Sequence, residues 1–149
     1  MKTLIIYSTM TGNTKKLVNG IKKKMRCEAI NPSKKAASEA KKADLIVFAS
    51  GIYAWRHHKA LLNFAESLPK MNKKCLIIST AGSPALSRLM HFALRRRLKK
   101  KGFRILGEFS CKGFDTFGPL KLFGGLNKGR PNQKDINNAV KFIREIKCQ

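Results

Sequence analysis

Along the chain, short runs of consecutive apolar residues alternate with longer stretches in which apolar residues recur every three or four positions. The short runs predict five strands, at residues 3–7, 27–30, 45–49, 75–78 and 103–109. Because these strands are apolar throughout rather than at every second position, they are typical of a parallel sheet covered by helices on both faces. The sequence therefore predicts one α/β domain over residues 1–149, a three-layer α/β/α sandwich with a five-stranded parallel sheet.

The longer stretches predict the helices that cover this sheet. An Ala- and Lys-rich segment at residues 34–42 forms a short helix, and Asn132 is a plausible N-cap of the last one. Apolar stripes at helical spacing identify the other four: Leu17, Val18, Ile21 and Met25; Ala60, Leu61, Phe64, Ala65 and Leu68; Leu86, Leu89, Met90, Ala93 and Leu98; and Ile136, Ala139, Val140, Ile143 and Ile146. An unusually long glycine-rich loop, at residues 113–131, precedes the last helix.

Small polar residues and glycines follow the first, third and fourth strands. Ligands of open parallel sheets bind beyond the carboxyl ends of the strands, so these three loops form the candidate site. The first loop contains Thr9, Met10, Thr11, Gly12, Asn13 and Thr14; the second contains Ser50, Gly51, Ile52, Tyr53, Ala54 and Trp55; the third contains Thr80, Ala81, Gly82 and Ser83.

The first loop has the residues of a phosphate site. Hydroxyl and amide side chains surround Gly12, and glycine allows backbone amides to approach a ligand closely. The helix that follows adds free N–H groups and a partial positive charge. Because the Gly-Lys-Ser/Thr ending of a P-loop is missing, neutral donors would hold a phosphate here.

Residues 7–14, Tyr-Ser-Thr-Met-Thr-Gly-Asn-Thr, resemble the FMN-phosphate loop of flavodoxins, whose pattern is Ser/Thr-x-Thr-Gly-x-Thr. The resemblance to the flavodoxin family covers nearly the whole chain and matches the length of its short-chain members. It implies a flavodoxin-like fold, non-covalently bound FMN and electron transfer with a redox partner protein. It also implies that the second and third loops contact the flavin.

The resemblance leaves the stacking residues open. Tyr53 or Trp55 of the second loop could stack on the isoalloxazine ring, or could pack against the neighbouring helix instead. Flavodoxins commonly carry an aromatic residue in the third loop, and this chain has none there. Either the ring is covered on one side only, or Phe114 or Phe117 of the long loop supplies the second contact.

The charge departs from that of the familiar acidic flavodoxins. The chain carries 32 Lys and Arg against 8 Asp and Glu, a net charge of +24, so its redox partner should have an acidic face. The same charge should stabilise the anionic reduced flavin and make the potential of the last reduction step less negative than in acidic flavodoxins. A basic surface of this kind also attracts nucleic acids and anionic membranes.

The remaining features predict no catalytic or metal-binding residues. Residues 56–58, Arg-His-His, are interpreted as a helix start on the surface rather than a metal or proton site, although Arg56 could lie near the flavin. The basic run at residues 95–101 is interpreted as a solvated helix end rather than a polyanion site. No Ser-His-Asp arrangement can be argued from the sequence. Four cysteines without a Cys-x-x-Cys pair predict free thiols in a cytoplasmic protein.

Three functions follow from these features. The favoured one is an FMN-binding electron-transfer protein or small flavin oxidoreductase. The second is an FMN-dependent dehydrogenase or quinone reductase similar to the menaquinone-dependent protoporphyrinogen dehydrogenases, which turnover of a small substrate would favour. The third is a basic module for nucleic acid or anionic membrane that has lost FMN. Steeply salt-dependent polyanion binding by a colourless protein would favour this last function.

Overall fold

A computed structural model describes residues 1–115 and 118–149 of the chain. Its central sheet contains five parallel strands: β1 (Thr3–Ser8), β2 (Glu28–Ile30), β3 (Leu45–Tyr53), β5 (Lys74–Ala81) and β6 (Arg104–Lys112). They lie side by side in the order β2-β1-β3-β5-β6. A further strand of two residues, β4 (Arg56–His57), pairs antiparallel with the end of β3. The predicted five-stranded parallel sheet is confirmed, and β4 is too short to have been visible in the sequence pattern.

Helices cover both faces of the sheet. They are α1 (Asn13–Met25), α2 (Lys34–Lys42), α3 (Lys59–Ser67), α4 (Ser87–Met90), α5 (Phe92–Lys100) and α6 (Gln133–Lys147). Successive strand residues alternate between two apolar cores: Ile46 and Phe48 face the core under α2, α3 and α5, whereas Val47 faces the core under α1 and α6. This arrangement confirms the three-layer sandwich. Within the described residues, none of the helices combines the length and apolar character needed to cross a bilayer.

Three of the helices begin with side-chain caps, and those of α2 and α6 are formed by Ser33 and Asn132. Ser33 accepts a hydrogen bond from the Ala36 N–H at the start of α2. Asn132 and Asp135 form a reciprocal capping box at the start of α6, which confirms Asn132 as its N-cap. By contrast, Gly12 precedes α1 in a left-handed conformation (φ 85°), and no described side chain caps that helix. The N–H groups at the start of α1 therefore differ from those of α2 and α6 in having no such partner.

The single helix predicted over Leu86 to Leu98 is wrong in one respect, because it is interrupted at His91. The segment forms a 3₁₀ turn, then the short α4, and then α5. Leu86 and Leu89, which the pattern placed on the buried face, are 44% and 66% exposed, whereas Leu98 is buried. The buried ring of His91 bonds to the sheet at the break, so the two parts do not share one continuous apolar stripe.

The predicted free thiols are confirmed for all four cysteines. Cys75 and Cys111 lie in the cores, and burial raises the pKa of each thiol to about 12. Neither thiol has the low pKa and the exposure of a reactive cysteine, so their role in the described structure is packing.

The turn between β3 and β4 is strained. Its two central residues, Ala54 and Trp55, have φ of 49° and 65°, in the left-handed region that favours glycine and asparagine. Positive φ at both positions is the requirement of a two-residue hairpin turn of type I′. Positive φ at these two non-glycine residues costs conformational energy, and the turn that they form places Trp55 at the tip of the second loop.

We expect Ala54→Gly to raise the free energy of unfolding by about 0.5 kcal/mol, because glycine relieves the left-handed strain and offsets its own entropic penalty. The matched control is Ala37→Gly in α2, where the backbone is helical and the same change should destabilise by about 1 kcal/mol. Urea unfolding of both variants measures the two effects. A loss of stability in both would contradict the strained turn.

Candidate functional site

The three predicted loops meet at one edge of the sheet. Ser8, Ser50 and Ser79 are register partners on adjacent strands β1, β3 and β5. The three predicted segments begin at or directly after these serines, so they start at the same level of the sheet. β3 and β5 continue to Tyr53 and Ala81, so the predicted loop residues 50–53 and 80–81 are still strand. The structure thus brings the three predicted segments together at the carboxyl ends of the parallel strands.

The first loop is shaped by its backbone. Gly12 has a φ of 85°, and a β-carbon built on it would meet nothing within 4 Å, so the residue is needed for its conformation rather than for space. Its N–H donates to Thr9 Oγ1 at 3.0 Å, which closes the loop on itself. No acidic residue lies in the first turn of α1, so an anion at this helix start would meet no described carboxylate there.

Two of the predicted phosphate ligands hold the loops together instead. Thr14 Oγ1 lies 3.0 Å from Thr80 Oγ1, and this buried hydroxyl pair links the first loop to the third. The side-chain amide of Asn13 donates to the carbonyl of Phe114 at 2.7 Å. Thr11, in contrast, is exposed at the loop tip. A phosphate at this loop would therefore meet mainly backbone N–H groups and the hydroxyl of Thr11.

The two aromatic residues of the second loop have different environments. Tyr53 folds back over Gly51, where an added β-carbon would lie 2.6 Å from the phenol oxygen. That oxygen accepts a hydrogen bond from the Met10 N–H at 3.0 Å, so Tyr53 ties the second loop to the first. Trp55, at the tip of the hairpin, is 64% exposed. Of the two candidates, Trp55 is exposed and Tyr53 is partly buried.

The long loop packs against the third loop. The Gly113 N–H donates to the Ala81 carbonyl at 3.0 Å, and the side-chain amide of Asn127 donates to the Gly82 carbonyl at 2.9 Å. An antiparallel bridge between Asp115 and Leu126 closes the base of the long loop. Phe114 lies within this contact region and is partly buried. Phe117, the other aromatic candidate of this loop, lies outside the described residues.

A row of serine–histidine pairs lies directly behind the loops, and the sequence did not reveal it. Ser8 Oγ is 2.6 Å from His58 Nδ1, Ser50 Oγ is 2.7 Å from His57 Nδ1, and Ser79 Oγ is 2.7 Å from His91 Nε2. The available signal was a serine at the same position before each loop. With strand register unknown, that signal could not be connected to the three histidines.

The prediction that residues 57 and 58 form a surface helix start is correct for His58 and wrong for His57. His58 Nδ1 accepts from the Ala60 N–H at the start of α3. His57 is only 1% exposed, because pairing of β4 with β3 turns its ring inward toward Ser50. Burial lowers the pKa of His57 well below its ordinary value of 6.5, and the nearby His91 lowers it further.

Glu108 and Arg95 complete this polar cluster. His91 Nδ1 lies 2.9 Å from Glu108 Oε2, and Arg95 donates to both carboxylate oxygens, from Nε at 2.6 Å and from Nη2 at 2.7 Å. Partial burial works to raise the pKa of Glu108, but the hydrogen bonds from His91 and Arg95 outweigh it and hold the pKa at about 2. Arg95, the first residue of the basic run, is therefore an internal ion-pair partner, whereas Arg96 is exposed.

Ser79, His91 and Glu108 have the connectivity of a nucleophile, base and acid. Ser79 is fully buried and so is His91, so no substrate atom can approach the serine hydroxyl in this structure. The arrangement is therefore not a hydrolytic triad. It instead places a charged, hydrogen-bonded cluster beneath the second and third loops.

Comparison with known proteins assigns the fold and the family. A family model described as a flavodoxin domain matches residues 4–101, more than half of the chain. The chain belongs to the flavodoxin family. An uncharacterized protein of Methanocaldococcus jannaschii is 46% identical to this flavodoxin over 147 residues, which cover 98% of both chains.

Solved structures agree with this assignment. A flavodoxin of Streptococcus pneumoniae TIGR4 superimposes with a TM-score of 0.70 at 16% identity, covering 99% of both chains. Oxidised flavodoxin 1 of Bacillus cereus gives a TM-score of 0.69 at 18% identity, covering 100% of this chain and 99% of its own. At such identities the likeness concerns the fold. Family membership supports a flavin-binding role in electron transfer or in an oxidoreductase.

Proposed function

We propose that this flavodoxin binds FMN non-covalently across the three loops and carries electrons between redox partners. The observation that carries the proposal is that the uncapped start of α1 and the exposed Trp55 lie on loops that the sheet register brings to one edge. FMN would supply the redox chemistry there. The chain would supply binding, orientation and the electrostatic environment of the flavin.

The first loop would hold the phosphate. No described side chain caps the start of α1, and the helix dipole favours negative charge beside its first N–H groups. Thr11 is the loop side chain that is exposed at this point. Because Thr14 and Asn13 are engaged with Thr80 and Phe114, they would act by fixing the shape of the loop.

The second and third loops would hold the ring. Trp55 lies on a two-residue turn whose backbone is restricted, so little conformational freedom would be lost when the indole stacks on a flavin. Tyr53 would support the contact indirectly, since it braces the second loop against Met10. Gly82 and Ser83 would offer backbone donors and acceptors to the edge of the ring.

A redox partner with an acidic face would complete the electron-transfer role. The net charge of +24 would steer such a partner toward this flavodoxin, and the association rate would fall steeply with ionic strength. Exposed Met10 and Trp55 would provide apolar contacts close to the flavin once the partner has docked.

The direct test is a visible absorption titration of the purified chain with FMN, followed by stepwise reduction. Perturbed flavin bands and saturation at micromolar FMN support the proposal. A chain that stays colourless at these concentrations would overturn it and give priority to polyanion binding by the basic surface. Turnover of a small substrate by the FMN-bound protein would instead identify a flavin oxidoreductase.

Replacing Trp55 tests the assignment of the stacking residue. We expect Trp55→Leu to weaken FMN binding roughly 3- to 10-fold, since stacking on an aromatic side chain contributes about 0.5–1.5 kcal/mol. Trp55→Phe retains a ring and should lose less affinity. Because Trp55 is the one tryptophan of the chain, quenching of its fluorescence by FMN gives a second measurement. Unquenched fluorescence in a saturated complex would exclude Trp55 from the ring contact.

A further inference from the structure

The hydrogen bonds around His91 determine where its protons are. Ser79 has one hydroxyl proton, and its geometry donates that proton to Ser110 Oγ at 2.8 Å. His91 Nε2 lies 2.7 Å from the same Ser79 oxygen. With the Ser79 proton directed to Ser110, the ring nitrogen is the donor in this contact. His91 Nε2 therefore carries a proton.

The second ring nitrogen faces a carboxylate. His91 Nδ1 is 2.9 Å from Glu108 Oε2, and the two hydrogen bonds from Arg95 keep this carboxyl group ionised. An ionised carboxylate only accepts hydrogen bonds, so the proton between the two atoms belongs to Nδ1. With a proton on each nitrogen, the ring carries a full positive charge.

We propose that His91 is a buried imidazolium that places a fixed positive charge directly behind the flavin site and so stabilises the anionic, reduced flavin. His91 is completely buried, and its neighbours are Ser79 of β5, Glu108 of β6, Arg95 of α5 and His57 of β4. Arg95 and Glu108 neutralise each other, so the charge on His91 is the surplus of the cluster. This role rests on the proposed function, because it requires FMN at the loops.

His57 supports this assignment of protons. With the Ser50 hydroxyl proton directed to the Gly51 carbonyl at 2.8 Å, His57 Nδ1 is the donor to Ser50 Oγ. His57 Nε2 is then bare, and no described group bonds to it. The ring centroids of His57 and His91 lie 4.9 Å apart, too close for two buried charges. The pair therefore holds one positive charge, on His91, where the carboxylate lies.

The position of the cluster links this charge to the flavin. Ser79, which bonds to His91, immediately precedes the third loop, and Ser50, which bonds to His57, is the first residue of the second. Charge buried in protein is screened far less than the lysines of the surface. His91 should therefore contribute more to the flavin potential than any exposed cation does, even in a chain with 32 Lys and Arg.

The charge state is tested first, on the full chain with ¹⁵N-labelled histidine at pH 7.5. The chain has three histidines, and His57→Asn and His58→Asn assign their signals. We expect protonated-type nitrogen shifts for both ring nitrogens of His91, with or without FMN. A bare-nitrogen signal from His91 overturns the proposal. In Glu108→Gln the double protonation should be lost, whereas Glu145→Gln, which removes an exposed carboxylate of α6, should leave it unchanged.

The effect on flavin is tested by comparing affinities for oxidised and reduced FMN. In His91→Gln, the preference for reduced over oxidised FMN should fall about tenfold relative to the wild type, and the potential should become more negative. Lys141→Gln removes one exposed positive charge on α6 and should change the preference much less. Equal effects in the two variants overturn the flavin role. If FMN does not bind at all, the proposed function fails with it, while the NMR result still decides the charge of His91.

Discussion

Thr11→Glu should weaken FMN binding roughly 10- to 100-fold while leaving the protein itself at least as stable as the wild type. Thr11 is exposed and directly precedes Gly12, so the new carboxylate would lie where the first loop is expected to receive the phosphate. The glutamate carboxylate and the FMN phosphate are both negative and would repel each other. Without FMN, the same carboxylate lies at the uncapped start of α1, where the helix dipole stabilises it by about 0.3–1 kcal/mol.

Two controls separate the charge effect from damage to the loop. Thr11→Gln has the size of the glutamate variant without its charge, and it should bind FMN nearly as tightly as the wild type. Riboflavin lacks the phosphate, so its affinity should be the same in Thr11→Glu and Thr11→Gln. A glutamate variant that loses riboflavin and FMN equally would show that the first loop contacts the ring rather than the phosphate.

Thr11→Glu is expected to weaken FMN binding without lowering the stability of the protein, and both effects follow from the structure of the first loop. Side chains that resemble phosphate ligands in the sequence, Asn13 and Thr14, bond to Phe114 and Thr80. They fix the relative positions of three loops and leave backbone N–H groups at the start of α1. A site made largely of backbone donors depends on loop shape, which explains why Gly12 and the bracing Tyr53 belong to it although neither supplies a charged group.

The strands and the phosphate loop could be predicted because their signals are local. Continuous apolar runs identify β1, β3 and β5, and residues 7–14, which join β1 to α1, carry the flavodoxin pattern in one segment of eight. The open choice between Tyr53 and Trp55 could not be decided in this way. The environments of these two side chains depend on the packing of Tyr53 over Gly51 and on positive φ at Ala54 and Trp55. Neither feature can be predicted from the order of residue types.

The polar cluster was missed because its members meet only in three dimensions. Seventeen residues separate His91 from Glu108, and their contact depends on β6 lying beside β5. The helix predicted over Leu86 to Leu98 is interrupted at the same histidine, and Leu89 is exposed. An apolar stripe at helical spacing shows which residues are apolar. It does not show that the histidine in the middle of the stripe is buried and hydrogen-bonded to the sheet.

Acid should destabilise this flavodoxin steeply, and His57 should be the main cause above pH 4.5. The ring is buried with a bare Nε2, and burial and the charge of His91 lower its pKa well below 6.5 in the folded state. The unfolded chain therefore binds a proton that the folded chain rejects. This contribution to stability is complete above pH 6.5 and falls by about 1.4 kcal/mol per pH unit below it, until the folded pKa is reached.

His57→Asn tests this by removing the titrating ring while its amide can still donate to Ser50. Urea unfolding at several pH values should give a wild-type free energy of unfolding that falls between pH 6.5 and 4.5, by an amount on the order of 2 kcal/mol, because the unfolded chain binds a proton at His57 that the folded chain does not. In His57→Asn most of this fall should disappear, even where the variant is less stable at neutral pH. His58→Asn, which retains His57, should keep the wild-type slope.

The same pH series separates the contributions of His57 and Glu108 to the free energy of unfolding, because the two contributions change over different pH ranges. Glu108 has a pKa of about 2 in the folded state, below its ordinary 4.5, so its contribution is present above pH 4.5 and is lost between there and pH 2. A slope that persists in His57→Asn between pH 6.5 and 4.5 would mean that His57 accepts a proton in the folded protein. His57 and His91 would then carry two charges 4.9 Å apart, which the proton assignment for this cluster forbids.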